Sequence, residues 1–206
     1  MRTGMLILAA LVLLPGIIRA DSPLTSASFS DAYLDVPIIR QARDTGVMTQ
    51  RFADYLSSPL IPLDYKAALC NALGWRLEGR ENAELYRRFL ARQLAANLRP
   101  LASDEYLCLG YLTALDNYFE PQKALPLLEI ARQGNTRSFT LAIVYAMTQA
   151  QAAFDSNWTQ VWRATRRVEL DRRLEPDMRP EARRIIFDYM NLYYEEAGEA
   201  LPPDKP

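Results

Sequence analysis

From Tyr65 the chain reads YKAALCNALGWRLEGRENAELYRRFL, two apolar-striped stretches on either side of a short polar gap. In the first, Tyr65, Ala68, Leu69, Ala72 and Leu73 recur at three- and four-residue steps and share one face of a helix. In the second, Leu85, Phe89 and Ala96 do the same. The small alanines let a neighbouring helix approach while the leucines fill the space between. This pattern continues almost throughout, strand-like alternation is nearly absent, and Pro and Gly cut the chain at short intervals. Nine helices are predicted, near 36–44, 47–57, 62–77, 81–97, 103–118, 122–133, 138–153, 158–173 and 180–197. Ser103 and Asn157 are expected to cap the fifth and eighth, Gly134 to follow the sixth, and Pro180 and Gly198 to bracket the ninth. Connections of a few residues make successive helices antiparallel neighbours.

A shift of forty-two residues superimposes the pattern on itself. Ala72-Leu73 falls on Ala114-Leu115, Glu78 on Glu120, and Leu85 on Leu127. A helix, a tight polar turn and a second helix, repeated at a period near forty, is the signature of a helical solenoid. Lys66, Ala67, Ala68 and Ala72-Leu73-Gly74 resemble the first helix of a HEAT-type repeat, and Ala124-Leu125-Pro126-Leu127-Leu128 resembles the opening of its second. Pro126 then stands in the first turn of its helix, where no donor is missed. Cys108 occupies the place of Lys66 in the second unit, and the stretches before 58 and after 137 match only as helix pairs. A TPR-like array is the competing resemblance. Either implies an all-α fold in which antiparallel helix pairs stack as a short α-solenoid.

The opening MRTGMLILAALVLLPGIIRADS has one arginine, an apolar run from Met5 to Leu14 and a small residue at Ala20. That is the pattern of a signal peptide cleaved after Ala20, too short and too interrupted to span a bilayer. The expected organisation is a signal peptide over 1–20, a flexible segment over 21–30, a helical repeat domain over 31–200 and a loose tail over 201–206. The expected location is the periplasm or the medium, without stable membrane insertion after cleavage. A net charge of −1 argues against nucleic acid as a partner.

Export gives the two cysteines meaning. Cys70 and Cys108 form an even count in an oxidising compartment, which suggests a bridge; two buried thiols acting as small core hydrophobes are the alternative. The chain has no histidine, which removes the Ser-His-Asp and Cys-His constellations and, with so few cysteines, any ordinary zinc site. No Gly-rich phosphate loop occurs, and no cofactor is expected. Asp155-Ser156-Asn157-Trp158-Thr159 starts like a calcium loop, but Gln160 and Arg166 stand where glycine and glutamate are required, so a helix cap is the better reading. Glu195 and Glu196, adjacent on a helix, point about 100° apart and make no catalytic pair.

Binding surfaces are more legible than chemistry. Eight arginines lie between 163 and 184, interleaved with acids at spacings that suit Arg167/Asp171, Glu169/Arg173 and Arg184/Asp188 pairs. A solvated, self-paired surface is the plain reading; an arginine patch centred on Arg166 and Arg167, facing an acidic partner, is the functional one. The last helix carries Ile186, Tyr189, Met190 and Tyr193 on one face with Tyr194 beside them, a stripe that either packs inward or offers a partner or dimer surface. Tyr86, Arg87 and Arg92 lie on a second helix of a pair, which lines the concave side in HEAT-like stacks. These readings converge on an exported, non-enzymatic helical-repeat protein that binds another protein in the bacterial cell envelope. Two alternatives are an immunity protein that neutralises a toxin delivered to the periplasm, and a carboxylate-dependent hydrolase of wall polymers.

Overall fold

The structure, a computed structural model, describes residues 22–97 and 99–194. The expected signal peptide, the tail, Gly198 and the Glu195–Glu196 pair lie outside them. Among the described residues there are nine α-helices: α1 Pro37–Thr45, α2 Gln50–Ser57, α3 Leu63–Leu73, α4 Asn82–Asn97, α5 Ser103–Asp116, α6 Leu125–Gly134, α7 Phe139–Ala153, α8 Trp158–Leu170 and α9 Pro180–Met190. Short 3-10 turns cover Phe29–Tyr33, Pro121–Lys123 and Asn191–Tyr193. The all-α expectation holds, and most helix ends fall within three residues of those predicted. α3 stops early because Gly74 turns to φ +68°, which halts the helix at Leu73. Asn157 caps α8 as expected, its Oδ1 accepting from Gln160 N at 3.0 Å. Ser103 does not cap α5. It is the first helical residue, and its hydroxyl donates to the Ala131 carbonyl at 2.7 Å, tying α5 to α6.

Helices α3, α5 and α7 are apolar around most of their circumference, which fits only a position with neighbours on every side. They touch one another and form the centre, with the remaining helices packed about them. Gly110 on α5 permits the closest of these approaches, since a Cβ there would meet Leu128 of α6 at 2.8 Å. Neighbouring pairs pack as in a stack, but two contacts reach beyond it. α3 meets α7, and the 3-10 turn at Phe29–Tyr33 meets α9.

That second contact joins the two ends of the described chain. Arg179, immediately before α9, donates from Nη1 to the Ala32 carbonyl (2.8 Å) and to Asp35 (2.7 Å), and from Nη2 to the Tyr65 hydroxyl (2.8 Å). Its guanidinium lies over the rings of Tyr33 and Tyr65, 4.5 and 5.0 Å from their centroids. The Tyr33 hydroxyl accepts from Arg179 N and donates to buried Asp64 at 2.7 Å.

The segment expected to be flexible over 21–30 is packed from Ser22 onward. Leu24, Ala27 and Phe29 are buried, Phe29 stacks on Tyr111 with centroids 6.2 Å apart, and Asn71 of α3 binds the backbone of both Ala27 and Ser30. The serines and threonine that made this stretch look loose bond to one another and to the local backbone, as in the Ser22–Thr25 hydroxyl pair at 2.9 Å.

Candidate functional site

A groove runs along α8 where it packs on α7. Asp171–Leu174 continue it past the end of α8. Its deeper part, about 420 Å³, is floored by Ala142, Ala146, Ala164, Val168 and Leu174 with Tyr145, and rimmed by Arg132, Arg137, Arg167 and Arg173. A second hollow of about 420 Å³ adds Asn157, Thr159, Gln160 and Arg163 towards the start of α8. Gln149, Ala164 and Arg167 line both, so the two are continuous.

The far wall is held in place from the beginning of α7. Asp177 accepts from Thr140 N at 2.8 Å and from the Ser138 hydroxyl at 2.5 Å, placing a carboxylate at the positive end of that helix. Glu175 and Arg137–Phe139 exchange backbone hydrogen bonds as an isolated parallel bridge. These links fix where Arg137, Arg173 and Leu174 stand.

Each rim cation has its own arrangement. Arg132 forks onto Glu129, with bonds of 3.1 and 2.9 Å, and lies 5.5 Å from the centroid of the Tyr145 ring. Arg137 pairs with Glu175 at 3.1 Å. Arg173 makes a two-point contact with Asp171 (2.8 and 2.7 Å), which holds that carboxyl down at about 2. The expected pairs Arg167/Asp171 and Glu169/Arg173 do not form. Asp171 stands just past the last residue of α8 in extended backbone, so helical spacing no longer applies, and its carboxylate turns to Arg173. Glu169 pairs with Arg166 instead, while Arg184/Asp188 forms at 3.5 Å. Exposed Arg167 is therefore left without an ion pair or hydrogen bond among the described residues. The groove and its immediate partners carry five arginines against Glu129, Asp171 and Glu175.

The other expected contact residues divide. Arg167 lies in the groove; Arg166 is half-buried against Glu169 outside it. Arg87 and Arg92 are exposed on α4, Arg87 bonded to Glu84 at 2.7 Å. Tyr86 is not on their surface. It shares the buried stripe of Ala83 and Leu90, with its hydroxyl 3.5 Å from Ser57, because adjacent helical positions differ by about 100°. Tyr193 is buried, its ring against Phe154 and Trp158; Tyr189 meets it hydroxyl to hydroxyl at 2.6 Å, and Tyr194 packs on Trp162. The tyrosine stripe thus fastens the end of α9 to α8. Arg132, Arg137 and Tyr145, which complete the groove, gave no signal in the sequence, since they come from segments some thirty residues earlier.

Cys70 and Cys108, expected to bridge, are free thiols here, both buried, on the facing helices α3 and α5. Cys70 Sγ lies 4.0 Å from the Cys108 carbonyl oxygen, and burial pushes its thiol well above the usual range.

One carboxyl is shifted the way a general acid would need. Burial raises Asp116 to about 6, against the opposing pull of the Ala83 N–H and Arg80. Its Oδ2 accepts from Ala83 N at 2.6 Å, so it serves the first turn of α4, and it lines neither part of the groove. Folded Asp116 holds its proton more tightly than the unfolded chain does. Its contribution therefore favours folding below about pH 4 and is lost as pH rises to about 6. Asp116→Asn keeps the acceptor and removes the buried charge. We expect this variant to unfold at higher urea than the parent at pH 7, with the gap closing at pH 4. A gap independent of pH would contradict that assignment.

Comparison with family models, with curated proteins and with solved structures gave no match.

Proposed function

We propose that the chain is an exported, non-enzymatic protein that binds another protein in the bacterial cell envelope. The observation that carries this reading is the make-up of the groove. It presents guanidinium, amide and hydroxyl groups over an apolar floor, a surface suited to holding a partner. The only carboxyl raised towards neutrality among the described residues serves a helix end elsewhere, which weighs against the hydrolase alternative. Export rests on the charged and apolar pattern of residues 1–20, and stacked helix pairs are a frequent scaffold for such binding surfaces.

Affinity capture of the tagged mature chain from its native envelope extract tests the reading. One stoichiometric protein partner is expected. A partnerless chain that cleaves wall fragments would replace this reading with the hydrolase one.

A further inference from the structure

The chemistry of the groove says what part of a partner it takes. We infer that it receives an extended acidic segment, with carboxylate side chains on either side of an apolar one. This rests on the binding reading above and names the feature recognised.

Three observations lead there. First, the cations are distributed along the groove, with Arg132, Arg137 and Arg173 at one end, Arg163 towards the other and Arg167 between them. A compact anion needs donors that converge on one point; donors spread along a track match charges repeated along a chain. α8, 13 residues long, spans about 20 Å, the reach of roughly six extended residues. Second, Ala142, Ala146 and Val168 lie between the arginines, so an apolar side chain is accommodated beneath the charged ones. Net charge is near zero and carboxylates accompany the cations, which does not suit a nucleic-acid backbone. Third, the cations differ in readiness. Arg167 has no competing carboxylate, and the Arg137–Glu175 pair is exposed on both sides, so neither must break a buried contact to bind. Arg132 is held in a fixed fork by Glu129 and can approach a ligand without being reordered.

The test uses the full mature chain and a fluorescein-labelled peptide of six glutamates around a central leucine. Its glutamine counterpart serves as control, and binding is read by fluorescence anisotropy. Saturable binding of the glutamate peptide is expected, weakening steeply between about 50 and 200 mM salt as exposed charges are screened. The glutamine peptide should not bind. Arg137→Glu with Arg167→Glu should raise Kd at least tenfold, whereas Arg87→Glu with Arg88→Glu on α4 should leave it unchanged. All four side chains are exposed, and matching urea midpoints would show that the fold is intact.

Absence of saturable binding, or equal loss from both double variants, would overturn the inference. So would full displacement by inorganic phosphate at constant ionic strength, which would mark a small-anion site. The capture experiment separates the two levels. If the Arg137→Glu/Arg167→Glu chain still retains the partner, the acidic-segment inference falls and the binding reading stands. If the parent chain retains none, the binding reading itself falls.

Discussion

Replacing Asp104 by alanine should destabilise the protein by about 3–5 kcal/mol, the usual cost of leaving a buried charge without its partner. The side chain of Lys66, on α3, is wholly inaccessible, and its ammonium is paired with Asp104 at the start of α5, a carboxylate that keeps about a quarter of its surface in water. The two positions are therefore not equivalent. Removing Asp104 strands a cation in the core between Ala67, Cys70 and their neighbours. Lys66→Met removes the buried charge and keeps an unbranched chain of similar volume, while Asp104 is left partly solvated. The methionine variant should unfold within about 1–2 kcal/mol of the parent, since apolar replacement of a buried ion is often neutral. Urea midpoints of both variants decide the matter. Equal losses would mean that Lys66 is not stabilised by Asp104 in the way its burial implies.

The second large effect is expected at Arg179. Its loss removes two cation–π contacts, each about 0.5–1 kcal/mol at a partly exposed site. It also removes hydrogen bonds to Ala32, Asp35 and Tyr65, each about 0.5–1.5 kcal/mol net. Because these share one side chain they do not simply add, and about 2–4 kcal/mol is the expected cost of Arg179→Ala. Arg179→Lys should recover less than half. A lysine keeps the charge but cannot reach a carbonyl, a carboxylate and a phenol at once with a planar fork. The loss should appear first as faster proteolysis of the 22–35 segment, which Arg179 clasps to α9. If the lysine variant matched the parent, charge alone would account for the clasp.

The helices were legible from the chain because the apolar period of 3.6 is sustained and interrupted by Pro, Gly and capping residues at their ends. Pro126, read as a first-turn residue, is found there in α6, and Pro180 opens α9. Partnerships between segments distant in sequence were not legible. Leu24, Ala27 and Phe29 are too sparse among serines to announce a packed segment; only the waiting Asn71 and Tyr111 give them a place. Tyr86 looked accessible beside Arg87, yet one residue's rotation separates core from solvent. The arginine patch failed as spacing logic at its most informative point. Asp171 lies where α8 ends, so the partner predicted for Arg167 was taken by Arg173, and the cation left over marks the middle of the groove. The two other rim residues, Arg132 and Arg137, belong to a different helix pair and could be placed there only by the fold.

The central claim is that this groove is where a partner protein binds. Photocrosslinking tests it most directly, with a benzoylphenylalanine introduced singly at Thr136 or Gln160, at opposite ends of the groove, or at exposed Leu60 as a control, in the chain expressed in its native host. The prediction is one and the same crosslinked protein from both groove positions and none from Leu60. Crosslinks of equal yield from all three positions, or from Leu60 alone, would contradict it.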